Sequence, residues 1–135
     1  MPDWVQAVLT SLSDLEQGKR YGLDVSLWST IVRIASLYRQ WVGGHPPQAA
    51  EWGALQEQMD GYAQRAQHEL GAGAEDQAES GPFITTYLAI RAVQESDPAE
   101  AEFLAARAVA AHQAFLTQWH HSHPKKKRRW FPWSR

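Results

Sequence analysis

Apolar residues recur at intervals of three and four along most of the chain, the spacing that places them on one face of an α-helix. The first stripe predicts a helix over about residues 3–17, with Asp3 at its start. The second covers about half of a helical wheel and predicts a largely buried helix over about residues 25–42, ended by Gly43 and Gly44. No segment alternates apolar and polar residues as a strand does, so the pattern predicts an all-α protein.

Three further helices follow from the same spacing. A third helix is predicted over about residues 47–70 from the narrow apolar seam of Trp52, Leu55, Met59, Tyr62 and Ala66. Pro82 opens a fourth, over about residues 82–96, that is apolar nearly all round. Asp97 and Pro98 begin a fifth, over about residues 98–121. We expect a single-domain bundle of about five helices over residues 1–124, with a flexible acidic linker at about residues 71–81.

Composition narrows the class of protein. The chain of 135 residues has no cysteine, which excludes disulfides, cysteine-based zinc sites, iron–sulfur clusters and thiol nucleophiles. No apolar run approaches the length of about 20 residues that a membrane-spanning helix needs. The N-terminal residues lack the apolar core of a signal peptide, so we expect a cytoplasmic protein.

The charge is divided unevenly along the chain. Residues 125–135 hold six of the 13 basic residues and no acidic one, whereas residues 1–124 hold the other seven together with all 15 acidic residues. A tail of charge +6 therefore follows a body of charge −8, although the whole chain carries only −2. Such an asymmetry is typical of a terminal segment that binds an oppositely charged partner.

The tail combines cations with large aromatic side chains. We predict that it binds a polyanion through Lys125, Lys126, Lys127, Arg128, Arg129, Trp130, Phe131, Trp133 and Arg135. The cations would neutralise phosphates, and the rings would stack on bases or lie at a lipid interface. The other interpretation is a solvated tail, or one that folds back on the acidic body.

These observations favour a non-catalytic accessory or adaptor subunit of a larger assembly. Its helical body would contact a partner protein, and its tail would bind a polyanion, with nucleic acid preferred. A peripheral protein that the same tail anchors to an anionic membrane is the alternative. Trp4 and Trp52 lie near helix starts and are predicted to contribute to the protein interface, whereas Trp28 and Trp41 are expected in the core.

Histidines provide the remaining candidate chemistry. His120, His121 and His123 could bind a metal ion, but the sequence places no carboxylate beside them, so no metal or other cofactor is predicted. His112 lies on the apolar stripe of the last helix, where a hydrogen-bonded core histidine is expected. A small helical enzyme with a pocket near His112 and Arg91 is the third hypothesis. Because catalytic sequence motifs are missing, we predict neither an enzyme nor a small-molecule substrate.

Overall fold

The computed structural model describes residues 1–70 and 80–123, without the side chains of residues 62, 63, 65–70 and 80. This part of the chain is mostly helical and has no strand, which confirms the all-α prediction. Its helices are α1 (Trp4–Leu15), α2 (Gly18–Tyr21), α3 (Val25–Val42), α4 (Ala49–Leu70), α5 (Ser80–Gln94) and α6 (Pro98–Ser122). The predicted tail lies outside the described residues, as does the predicted linker apart from residues 80 and 81, which begin α5.

The helix that the spacing did not predict is α2, a single turn between two glycines. Gly22 ends it with a φ of 70°, a left-handed conformation that glycine adopts without steric cost. Gly18 is buried because the indole of Trp28 lies directly over it, and a Cβ there would come within 2.3 Å of the ring. Four residues are too few to show a helical apolar period, so the sequence indicated only a turn.

Two of the long helices begin at aspartate caps. The carboxylate of Asp24 accepts a hydrogen bond from the backbone N–H of Ser26 at 3.0 Å, at the start of α3. The carboxylate of Asp97 accepts one from the N–H of Glu100 at 3.3 Å, and Pro98 follows the cap in α6. The order of Asp, Pro and Glu in the sequence therefore marks the start of α6 correctly.

Helix α5 lies at the centre of the described bundle. It packs along α6 and also contacts α1, α3 and α4, which explains why it is apolar on nearly every side. Small residues let α5 and α6 approach closely, and buried examples are Ala89, Ala92, Ala105 and Ala108. The hydroxyl of Thr85, buried between these two helices, donates a hydrogen bond to the carbonyl of Ala108 at 3.1 Å.

An aromatic cluster connects α3 to its neighbours. Tyr38 is fully buried, and its hydroxyl donates a hydrogen bond to the carbonyl of Ala89 at 2.6 Å. Burial raises the pKa of this phenol well above its usual value, because the phenolate would lose its hydration. The rings of Trp4 and Trp52 meet Tyr38 edge-on at 6.5 and 5.5 Å between centroids.

Within the described part of the chain, no helix is both long and apolar enough to cross a membrane.

The two contrasting glycines Gly18 and Gly53 test this packing. We expect Gly18→Ala to lower the free energy of unfolding by about 1–3 kcal/mol, because the new methyl group must displace the Trp28 ring. In Gly53→Ala the methyl group would meet nothing within 4 Å on helix α4, so this variant should gain about 1 kcal/mol. Urea denaturation of both variants measures the difference, and equal effects would contradict the described contact.

Candidate polyanion interface

The C-terminal end of α6 packs against the short helix α2. The ring of Tyr21 meets the ring of Trp119 edge-on, with 5.1 Å between centroids and 87° between planes. It meets Phe115, one turn earlier on α6, in the same way at 5.2 Å. Edge-to-face pairs of this kind favour one relative orientation of the rings, so they fix α2 beside the last turns of α6.

The carboxylate of Asp14 connects α1 to both of these helices. Its Oδ2 accepts hydrogen bonds from the hydroxyl of Tyr21 and from Nε2 of His112, each at 2.8 Å. Its Oδ1 accepts a third, from the side-chain amide of Gln17, at 3.1 Å. Burial, together with the hydrogen bond and the negative charge of Asp14, raises the pKa of Tyr21 to about 12.

The expectation for His112 as a hydrogen-bonded core residue is confirmed. Its side chain is buried, with the residue 4% exposed, and it shares the carboxylate of Asp14 with Tyr21. Because an ionised carboxylate can only accept, His112 donates from Nε2, and its buried Nδ1 has no hydrogen-bond partner among the described residues. The sequence analysis predicted no role for Asp14 or Tyr21, because Asp14 lies off the apolar stripe of α1 and no local sequence pattern links it to α6.

Basic side chains surround the ring of Trp119. The guanidinium of Arg20 lies over this ring, 5.2 Å from its centroid, and over that of Tyr21 at 5.6 Å. The imidazole of His123 stacks on Trp119 at 4.6 Å with 13° between planes, and His120 meets it edge-on at 5.3 Å. We call Arg20, Trp119, His120 and His123 the Trp119 cluster.

The guanidinium of Arg20 forms no ion pair with a described acidic side chain. Arg20 is exposed, and among the described side chains no carboxylate lies at ion-pair distance from its guanidinium. Of the two acidic side chains on the preceding segment, Asp14 accepts three hydrogen bonds and Glu16 forms an ion pair with Arg39. The histidines of the cluster are followed, after Pro124, by the basic run that begins at Lys125.

The structure divides the tryptophans between core and surface differently from the prediction made from the sequence. Trp52, predicted at a protein interface, is instead a core residue and only 1% exposed. Trp4, the other predicted interface residue, is half-buried and packs edge-on against Trp41 at 5.6 Å. Trp52 is buried because its ring packs edge-on against the buried ring of Tyr38.

Trp28, expected in the core, is 39% exposed. Its indole N–H donates a hydrogen bond to the carbonyl of Glu16 at 2.7 Å, and its ring covers Gly18. This tryptophan therefore contacts the connection between α1 and α2 from the solvent side. It also lies on an exposed apolar face of α3 with Val25 and Val32, which are 73% and 37% exposed. We call these three residues the α3 apolar face.

The other candidate residues are not brought together. Arg91 is exposed, with its guanidinium over the ring of Tyr87 at 5.9 Å, whereas His112 faces Asp14. The two side chains proposed for an enzyme pocket thus have different surroundings and share no contact. His121 is exposed, and within residues 1–70 and 80–123 no three histidine, aspartate or glutamate side chains are arranged to hold a metal ion. The nine tail residues predicted to bind a polyanion lie outside the described residues.

Comparison of the chain with protein-family models, curated proteins and solved structures finds no match.

The hydrogen bond between Tyr21 and Asp14 predicts a specific loss of stability in alkali. Because folding raises the pKa of this phenol from 10.0 to about 12, its contribution is fully present below pH 10 and is lost as the pH rises through about 12. We expect the difference in unfolding free energy between the parent protein and Tyr21→Phe to shrink over this range. Urea denaturation at a series of pH values measures it, and a difference that stays constant would contradict the raised pKa of Tyr21.

Proposed function

We propose that this protein is a non-catalytic accessory subunit whose C-terminal residues 125–135 bind a polyanion, with nucleic acid favoured, while its helical body contacts a partner protein. The observation that carries the proposal is the run of five cations from Lys125 to Arg129, followed at once by Trp130, Phe131 and Trp133. It is supported by the position of the Trp119 cluster, which adds basic side chains immediately before this run.

Nucleic acid accounts for both parts of the tail. Lysine and arginine neutralise backbone phosphates and release counterions, which gives affinity without sequence preference. The three aromatic side chains supply flat surfaces on which unpaired bases stack. Each stacked base contributes about 1–3 kcal/mol to the free energy of binding. The body carries −8 and repels a polyanion, so contact is confined to the basic end of the protein.

The proposed contact with a partner protein is supported by the α3 apolar face. Val25, Trp28 and Val32 follow one another at spacings of three and four, and all three are exposed. An apolar helix stripe with this spacing fits against a helix or groove of another protein. Asp substitution of Val25 and Val32 should abolish co-purification of such a partner and leave polyanion binding unchanged.

The dependence of affinity on salt concentration tests the proposed binding of a polyanion by the tail. We expect a fluorescent single-stranded oligonucleotide of about 20 nucleotides to bind the full-length chain, with an affinity that falls steeply between about 50 and 200 mM salt. Replacing the five residues 125–129 by alanine should reduce the slope of log affinity against log salt by about 3.5, since each phosphate contact contributes about 0.7. Fluorescence anisotropy measures both quantities.

The control is Arg91→Gln, which removes a cation that lies over Tyr87 on the exposed surface of α5. It should leave the affinity and the slope unchanged. An affinity that does not change with salt would refute phosphate contact by the tail. Binding of the parent protein to anionic vesicles in a flotation assay, with no binding to the oligonucleotide, would refute the nucleic-acid assignment in favour of membrane anchoring.

A further inference from the structure

We infer that the Trp119 cluster is a phosphate-binding site on the folded body, centred on Arg20 and continuous with the basic tail. This inference rests on the proposed function and extends it, because it assigns a contact to residues outside the tail. Its ligand is a phosphate group of the polyanion that the tail binds.

The guanidinium of Arg20 is exposed and lies beside two aromatic rings. Its central carbon is 5.2 Å from the ring centroid of Trp119 and 5.6 Å from that of Tyr21, which are cation–π distances. A guanidinium carries a planar fork of N–H donors that matches the oxygens of a phosphate. Within the described part of the chain no acidic side chain forms an ion pair with them.

The backbone at Arg20 is held in place by the contacts of its neighbour in helix α2. Its neighbour Tyr21 is held by the hydrogen bond to Asp14 at 2.8 Å and by edge-on contacts with Phe115 and Trp119. Helix α2 is therefore attached to both α1 and α6, although it has only one turn. An arginine on a fixed support loses less conformational entropy on binding than one on a free chain, so even a single contact adds to affinity.

The surroundings of Trp119 favour phosphate over a nucleobase as the ligand. His123 stacks on the indole, Arg20 lies over it and His120 meets it edge-on, so the ring is already covered by basic side chains. Nδ1 of His123 lies 3.0 Å from the carbonyl oxygen of Trp119, which also accepts a hydrogen bond from the backbone N–H of His123 at 2.8 Å. The cluster thus offers charge and N–H donors, and we expect no base preference from it.

The cluster is next to the tail in the sequence, since Lys125 is two residues beyond His123. We therefore expect a strand bound by Lys125 and its neighbours to pass close to the cluster. One phosphate contact by Arg20 would then continue the row of contacts onto the folded body.

The experiment uses the full chain and the single-stranded oligonucleotide described above. Arg20→Gln should reduce the slope of log affinity against log salt by about 0.7 and lower the affinity at about 50 mM salt by roughly threefold to tenfold. Arg107→Gln is the matched control. Arg107 is also an exposed arginine over an aromatic ring, 5.9 Å from that of Phe103, but lies about 18 Å along α6 from Trp119. This variant should behave as the parent does.

A second variant separates charge from geometry. Arg20→Lys keeps the charge but loses the planar fork of donors, so it should restore the slope while only partly restoring the affinity. Urea denaturation of each variant verifies that the fold is retained. A slope in Arg20→Gln equal to that of the parent protein would overturn the inference.

The two proposals fail in different ways. If alanine at residues 125–129 abolishes salt-dependent binding and Arg20→Gln has no effect, the tail binds the polyanion and the inference is wrong. If the alanine variant binds as the parent does and Arg20→Gln alone weakens binding, the cluster is the site and the assignment to the tail is wrong. Loss of affinity in both variants, with an unchanged Arg107→Gln, supports both.

Discussion

The carboxylate of Asp14 is the contact on which the arrangement of the basic end depends. It accepts hydrogen bonds from Tyr21 on α2 and from His112 on α6, so one side chain of α1 links two other helices. The residues Asp14 and His112 are 98 positions apart in the chain. A buried or half-buried hydrogen bond to a charged group is among the stronger polar contacts in proteins, because its loss leaves a polar group without a partner. Without this link, α2 would be attached only by its aromatic contacts and by Trp28 over Gly18.

Helix α2 carries both the residue that contacts Asp14, which is Tyr21, and the neighbouring cation Arg20. Tyr21 faces inward to Asp14 and α6, while its neighbour Arg20 remains exposed over Trp119. A helix of one turn has too few internal hydrogen bonds to be stable alone, so tertiary contacts decide where it lies. The same contacts that stabilise the corner of the bundle therefore determine where the guanidinium of Arg20 is presented.

The distribution of charge gives the protein two unlike parts. In residues 1–124 the acidic residues outnumber the basic ones by eight, which disfavours polyanion binding to this part of the chain. The guanidinium of Arg20 lies where α6 ends, and the basic residues of the tail follow in the sequence. In the proposal above, the fold serves to hold a basic terminus at one end while leaving the α3 apolar face exposed for a partner protein.

The sequence by itself determined the all-α class, the approximate bounds of the five long helices, the start of α6 at Asp97, and the unequal division of charge. These follow from local rules, since apolar period, cap residues and charge runs involve neighbours only a few positions apart. Only the tertiary structure decided that Trp52 is buried while Trp28 is exposed, that α2 is helical, and that Asp14 meets Tyr21 and His112. A stripe of apolar residues shows which side of a helix is buried, but what covers that side depends on residues distant in the chain, and no local pattern contains that information.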